Sequence, residues 1–390
     1  MIPVVLDCET SMKPMHDPFN PAAKLCYVGL SYGGKGYQDF AIEYGDEPWG
    51  EKLKQIQVQI NRAEIFVGAN PKFDVHWLRR YGVRLPTTMR VWDVLLAQFI
   101  LDHQTCPRIS LNEVAEKWGL PGKLDVVKTE YWEKGIDTPE VPAPILREYL
   151  KQDVDLTEQI YELQYAEVVR RGILPLVMLD MQDLLMLEEM EWQGNKYNSE
   201  GSMIEATVIG AEIEATIKSL NAFSPVVPKL GKNGMPSWSP DFISLLLYGG
   251  TYKTVEKEPY LFTYKDGSTK EKMHNVVKEH VLPRLTEPPK AARAKEGYWP
   301  TDEETLKNLK ATGKAKKIIE YLLELRRLEK LVGTYLSGIP SKIKLSGWED
   351  GLVHTNYIQT RAITGRLSSE QPNMQNLSDE PKKFFVSRFE

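Results

Sequence analysis

The first apolar cluster of the chain, residues 3–6, is a short run that stops at Asp7. A run of that length bounded by a charge predicts a buried strand. Residues 25–32 and 37–42 are further strand-like runs, and Gly33-Gly34-Lys35-Gly36 between them predicts a hairpin turn. Residues 49–62 carry helical spacing, and residues 64–68 predict a fourth strand. Asn70-Pro71 marks a helix start, with Asn70 as the N-cap and Pro71 at the first helical position. Helices are expected at 89–100, at 111–118 and, longest, at 144–171, where Gly172 closes the last turn. Strands interleaved with helices predict an α/β domain over residues 1–172.

Beyond residue 172 the pattern becomes mainly helical. Amphipathic stretches cover 175–193, 203–220 and 314–336, the last with Ile318, Leu322, Leu325 and Leu328 on one face. Residues 225–239 are rich in Pro, Gly and Lys and predict a loop, and 242–248 predict a short apolar helix. Residues 251–290 break the helical pattern with Val-, Tyr- and Phe-rich pieces around Asp266-Gly267. They predict a hairpin-containing insertion that grips DNA or an accessory factor.

Composition changes this picture little. The 390 residues suit two or three domains, and 42% hydrophobic with 26% charged content excludes disorder over most of the length. A net charge of -5 excludes a uniformly basic nucleic-acid coat but leaves room for a basic groove beside an acidic site. Cys8, Cys26 and Cys106 form no C-x-x-C pair, which points to a reducing compartment without structural zinc. No apolar run has membrane-spanning length and no signal peptide is recognisable, so the expected location is the cytoplasm of a bacterium or an infected host cell.

The candidate chemistry lies in three acidic pieces. Asp7 and Glu9 are i and i+2 of a strand and so share a face. Asp74, in Asn70-Pro71-Lys72-Phe73-Asp74, falls in the first turn of a helix. Tyr149 and Asp153 are i and i+4 on the long helix. Each piece alone fits a solvated strand end, a helix-start carboxylate or an ordinary amphipathic helix. In order and in context, however, they resemble the three motifs of proofreading 3′→5′ nucleases with four carboxylates and a tyrosine. That resemblance implies catalytic roles for Asp7, Glu9, Asp74, Tyr149 and Asp153, with the four carboxylates holding two divalent ions, Mg²⁺ or Mn²⁺. Hard ions prefer such oxygen ligands. Asp93 is expected in a supporting role at most, Asp155 in none, and His76 and His103 as structural or surface residues.

A second signature is longer. Thr364-Gly365-Arg366-Leu367-Ser368-Ser369 and Pro372-Asn373-Met374-Gln375-Asn376-Leu377 resemble the segment leading into the palm of family A, DNA polymerase I-like enzymes. Residues 351–357, 299–304 and 326–331 resemble neighbouring segments of that family. The resemblance, of bacteriophage type, covers nearly all of the chain except residues 251–290. It implies an RNase H-like exonuclease domain with a mixed sheet at 1–172, then a mainly helical thumb with its connecting helices at 173–348. The start of an α+β palm follows at 349–390. Arg366, Gln375 and Asn376 would contact the minor groove of a primer–template, and Asn70 the single-stranded 3′ end. Between residues 290 and 330, Lys and Arg outnumber acids eleven to seven, a bias that suits phosphate binding.

The family's catalytic palm aspartates and its fingers helix do not occur within the 390 residues, and no 5′-nuclease domain is expected ahead of the exonuclease. The apolar Phe384, Phe385, Val386 and Phe389 are expected as an unpaired opening strand of the palm. Polymerisation is then expected only with a second chain carrying the rest of the palm and the fingers, in a split or truncated enzyme. Two rivals are a stand-alone exonuclease of repair or RNA processing and a non-catalytic DNA-clamping subunit. The thumb and palm signatures count against the first, and the intact carboxylate set against the second.

Overall fold

The computed structural model describes residues 1–46, 48–123, 125–231, 236–290, 295–348 and 351–388. Contacts divide the chain into two units, Met1–Ser199 with Ile339–Glu390, and Glu200–Gly338.

The first unit is built on a mixed five-stranded sheet of order β3-β2-β1-β4-β5. β1 (Pro3–Thr10) lies at its centre, antiparallel to β2 (Leu25–Tyr32) and parallel to β4 (Ile65–Gly68). β3 (Tyr37–Ala41) completes the predicted hairpin, and α1 (Gly50–Arg62) leads into β4. Val4, Val5 and Leu6 are fully buried, as a strand covered on both faces requires. α2 (Pro71–Arg80) follows β4.

The helix expected over 89–100 is instead a strand and a helix, β5 (Arg90–Asp93) and α3 (Val94–Leu101). Val91 and Trp92 pair with Phe66 and Val67 of β4 and are buried, so sheet pairing wins over the helical reading of one apolar stretch. Asp93 then caps α3, accepting the Leu95 N–H at 2.9 Å. Asn70 also departs from expectation. It is left-handed (φ 62°) and its side chain makes no cap bond; its N–H instead donates to Asp93 at 3.1 Å.

α4 (Leu111–Lys117) opens with a Ser110/Glu113 capping box, and the short α5 (Val126–Glu130) precedes α6 (Ala143–Arg171), which closes at left-handed Gly172. α6 packs across β1, β2, β3 and β4, while α7 (Leu174–Gln193) packs on β5 and on α2. β6 (Asn195–Lys196) ends this stretch.

The second unit contains α8 (Ser199–Phe223), α9 (Pro240–Tyr248), a long two-stranded ribbon of β7 (Gly250–Thr263) and β8 (Thr269–Leu282), α10 (Glu303–Asn308) and α11 (Gly313–Lys330). Leu220, Phe242, Leu246, Ile318 and Leu322 are at its core. The hairpin expected in the insertion is this ribbon, with its turn at Asp266-Gly267.

Back in the first unit, α12 (Gly338–Ser346) precedes β9 (Leu352–Val353), which pairs with β6. β10 (Asn356–Ile358) and β11 (Ser368–Glu370) form a small ribbon, and α13 (Asp379–Lys382) follows. The expected free palm strand is not found. Phe384 is buried, Phe385 bridges Tyr197 with ring centroids 4.9 Å apart, and the Val386 N–H donates to Lys196 O at 3.0 Å. Phe384 and Phe385 are thus partnered by this chain's own residues, while Val386 stays 43% exposed; Phe389 lies outside the described residues. No described helix is long and apolar enough to cross a membrane.

Candidate active site

The site begins with the pleat of β1. Asp7 and Glu9 leave the strand on one face, and α6 lies across that strand. Gly29, paired with Asp7 in the ladder, permits the close approach: a Cβ there would stand 2.7 Å from Leu150 Cγ. With Leu150 against the sheet, Tyr149 and Asp153 of α6 reach the end of β1. Carboxylate oxygens of Asp7, Glu9 and Asp153 lie within 4.8 Å of one another. Asp74 comes from the first turn of α2 and accepts the Cys8 N–H at 3.0 Å, beside this group rather than inside it. Asp155, by contrast, pairs with Lys151 at 2.6 Å on the exposed side of α6.

Concentrating carboxylates in a protein interior is costly, and the proton affinities show it. Burial and then the Asp153 carboxylate push Asp7 up to about 8. Glu9 is raised well above the usual carboxylate range by burial and by Asp7, Asp74 likewise by burial and by Asp7, and Asp153 by burial. Such a group holds protons or a cation more readily than it stays fully ionised. The donor set is all oxygen, which suits Mg²⁺ or Mn²⁺. Asp153 Oδ1 is buried and accepts no hydrogen bond among the described residues, so a carboxylate oxygen remains for a ligand. The residues therefore fit a divalent-ion centre.

Lys123 was not singled out from sequence. Its Nζ donates to Asp153 Oδ2 at 2.6 Å and to the Tyr149 hydroxyl at 2.8 Å. Burial alone would lower its pKa, but Asp153 and Tyr149 outweigh this and raise it. The Tyr149 hydroxyl is raised, first by burial and then by Asp153, and stays protonated. Lys123 follows a Pro-Gly pair in a loop, thirty positions before Asp153, and no local pattern separates it from a surface lysine.

A second feature missed from sequence fixes α2. Lys72 and His76 meet Glu191 of α7, His76 Nε2 at 2.8 Å, and Glu191 also accepts the Tyr357 N–H at 2.6 Å. Lys72 donates to the Tyr357 carbonyl as well. This buried network joins the helix bearing Asp74 to α7 and β10 and gives His76 the structural role expected. Asp93, pushed up to about 6 by burial, bonds the Asn70 N–H rather than the carboxylate group, a supporting position.

Arg366, Gln375 and Asn376 are not brought to the carboxylates; all three are exposed in the segments around β11. Asn373 holds that loop: its Oδ1 accepts the Gln375 and Asn376 N–H groups at 3.1 and 3.2 Å and the Ser369 hydroxyl at 3.2 Å. Asn70, also exposed, lies four residues before Asp74, just ahead of α2.

Residues 265–388 match the family described as DNA polymerase family A. DNA polymerase I of Borreliella burgdorferi is 23% identical over 391 aligned residues, covering 97% of this chain and 36% of that relative. That of Treponema pallidum is 25% identical over 320 residues, covering 79% of the chain and 26% of the relative. This chain therefore spans about a third or less of the length of these relatives. Among solved structures, the POL domain of Pol1 from M. smegmatis, in complex with DNA primer-template and dNTP, superposes with a TM-score of 0.65 at 16% identity. The match covers 98% of this chain and 54% of that one, and shows a shared mixed helix and sheet fold. The family match over residues 265–388, together with relatives that align along 97% and 79% of the chain, makes it similar to DNA polymerase family A.

Proposed function

We propose that the Asp7 group is the centre of a 3′→5′ exonuclease that proofreads for a family A replicative polymerase. The observation that carries the reading is the meeting of Asp7, Glu9 and Asp153 within 4.8 Å, from positions far apart in sequence. Asp7, Glu9, Asp74 and Asp153 would hold two divalent ions, which when bound supply a hydroxide and stabilise the leaving 3′-oxygen. Tyr149, protonated and held by Lys123, orients the attacking water through its hydroxyl. The buried α2 network keeps Asp74 in place, and Asn70 contacts the single-stranded 3′ end. Residues 1–172 serve as the exonuclease domain, 173–348 as the thumb and connecting helices, and 349–390 as the start of the palm. There Arg366, Gln375 and Asn376 meet minor-groove acceptors, which sit in nearly the same place in every base pair. Such contacts check pairing without reading sequence. Primer extension would require the rest of the palm and the fingers in addition to these residues, in a second chain or a longer one.

The test is hydrolysis of a single-stranded oligonucleotide with Mg²⁺, with EDTA, and with Mg²⁺ after Asp7→Ala/Glu9→Ala. Hydrolysis is expected in the first case alone. Equal hydrolysis in all three overturns the assignment.

A further inference from the structure

The β7–β8 ribbon divides into two parts with different charge chemistry. Towards its base, ion pairs join the strands: Lys278 meets Glu256 and Glu258, and Lys253 meets Glu279 at 2.7 Å. Towards its tip, Lys265, Lys270 and Lys272 form no ion pair among the described residues. The register places Tyr260 opposite Lys272 and Phe262 opposite Lys270, hence all four on one face. Leu261 pairs with Glu271 on the other face. Tyr264 extends the aromatic row into the turn, its ring centroid 5.0 Å from that of Phe262. Lys272 Nζ lies 3.6 Å from the Phe262 ring centre, and His274 packs on Tyr260 at 5.0 Å. Tyr260, Phe262 and Tyr264 remain 39%, 37% and 40% exposed.

Cross-strand aromatic–lysine pairs help to stabilise a two-stranded ribbon. That role does not require the lysines to lack carboxylates, nor the tip's Glu271 to be turned to the opposite face. A row of exposed rings offers faces for unpaired bases, and unpaired cations beside them meet phosphates. In duplex DNA the base faces are stacked away, so the rings would have nothing to receive. The occupant with matching chemistry is an unpaired nucleic-acid strand.

We propose that the tip of this ribbon, through Tyr260, Phe262, Tyr264, Lys265, Lys270 and Lys272, is a binding site for single-stranded DNA. The inference rests on the DNA-directed function proposed above but concerns residues outside the carboxylate centre. It adds a second, non-hydrolytic hold on the strand.

The test is fluorescence anisotropy with the full chain in EDTA, against labelled oligothymidine and a blunt duplex, over a series of salt concentrations. Lys265→Gln/Lys270→Gln/Lys272→Gln should lower the slope of log affinity against log salt by about 2 for the single strand. Phe262→Leu should weaken single-strand binding about five-fold or more. Glu271→Gln, on the opposite face, should not weaken it. Unchanged single-strand binding by the lysine variant overturns the proposal and leaves a protein partner for the ribbon. An equal loss on duplex and single strand also overturns it, since the tip would then grip backbone alone. Magnesium-dependent hydrolysis, measured separately, distinguishes the two readings. Absent hydrolysis with lysine-dependent binding refutes the nuclease only, and hydrolysis with lysine-independent binding refutes the ribbon site only.

Discussion

The carboxylate centre and the loop that carries Arg366, Gln375 and Asn376 solve opposite problems. The first gathers like charges at the end of a central strand and holds them with a long helix, where Glu9, Asp74 and Asp153 are 4%, 2% and 6% exposed. The second displays Arg366, Gln375 and Asn376 at the surface, while Thr355, Ser369 and Asn373 hold its backbone. The difference fits what each is proposed to do. A hydrolytic centre needs fixed oxygens whose mutual repulsion is relieved by what they bind. A surface that checks a duplex needs groups that exchange water for base edges at little cost.

The sharpest contrast should come from one substitution in each region. Asp153→Asn is expected to lower single-strand hydrolysis more than about a hundred-fold, beyond the usual cost of losing a residue that only supports a ligand. Arg366→Ala should leave the same assay unchanged. Comparable losses in both would mean that the two regions do not differ as described.

Lys123→Met is the next largest change. If Lys123 positions the Tyr149 hydroxyl, hydrolysis should fall about ten- to a hundred-fold, as for other supporting residues of metal sites. Adding Tyr149→Phe to Lys123→Met should then cost little more, because both act through one hydroxyl. Fully multiplicative losses in single-turnover rates would contradict a shared role.

Asp93 tests how far burial alone, away from the ligand group, shapes stability. Burial raises its pKa from the ordinary 3.8 to about 6. A carboxyl raised in the folded state contributes stability that is fully present below its unfolded pKa and is lost as pH rises through its folded one. Between those two values the native protein should lose about 3 kcal/mol relative to Asp93→Asn, which cannot ionise. Denaturant unfolding of both proteins at either end of the interval measures it, and a constant difference would contradict the shift. The smallest effect expected is on duplex binding, where Arg366→Ala should cost about ten-fold, seen by titration of a primer–template.

Much of the centre was legible because it rides on regular elements. Asp7 and Glu9 follow from strand alternation, and Tyr149 and Asp153 from helical spacing on a helix whose closing Gly172 was also visible. Residues 89–100 misled because Val91 and Trp92 suit a strand as well as a helix, and only β4 beside them decides. Asn70 looked like an N-cap, but its backbone is held by Asp93, a partner twenty-three residues away. Lys123 and the Lys72–His76–Glu191 network are contacts between distant segments, and no local periodicity encodes them. Phe384 and Phe385 read as a bare strand because their partner, Tyr197, lies far upstream.

The proposed hydrolysis starts at a free 3′ end. The most direct measurement uses one single strand, labelled in turn at its 5′ and at its 3′ terminus, with Mg²⁺ and the full chain. A ladder of successively shorter products is expected from the 5′ label, and immediate release of a mononucleotide from the 3′ label. An inverted, blocked 3′ end should give no products with either label. Internal cuts, shortening from the 5′ end, or no hydrolysis by the metal-supplied chain would contradict it.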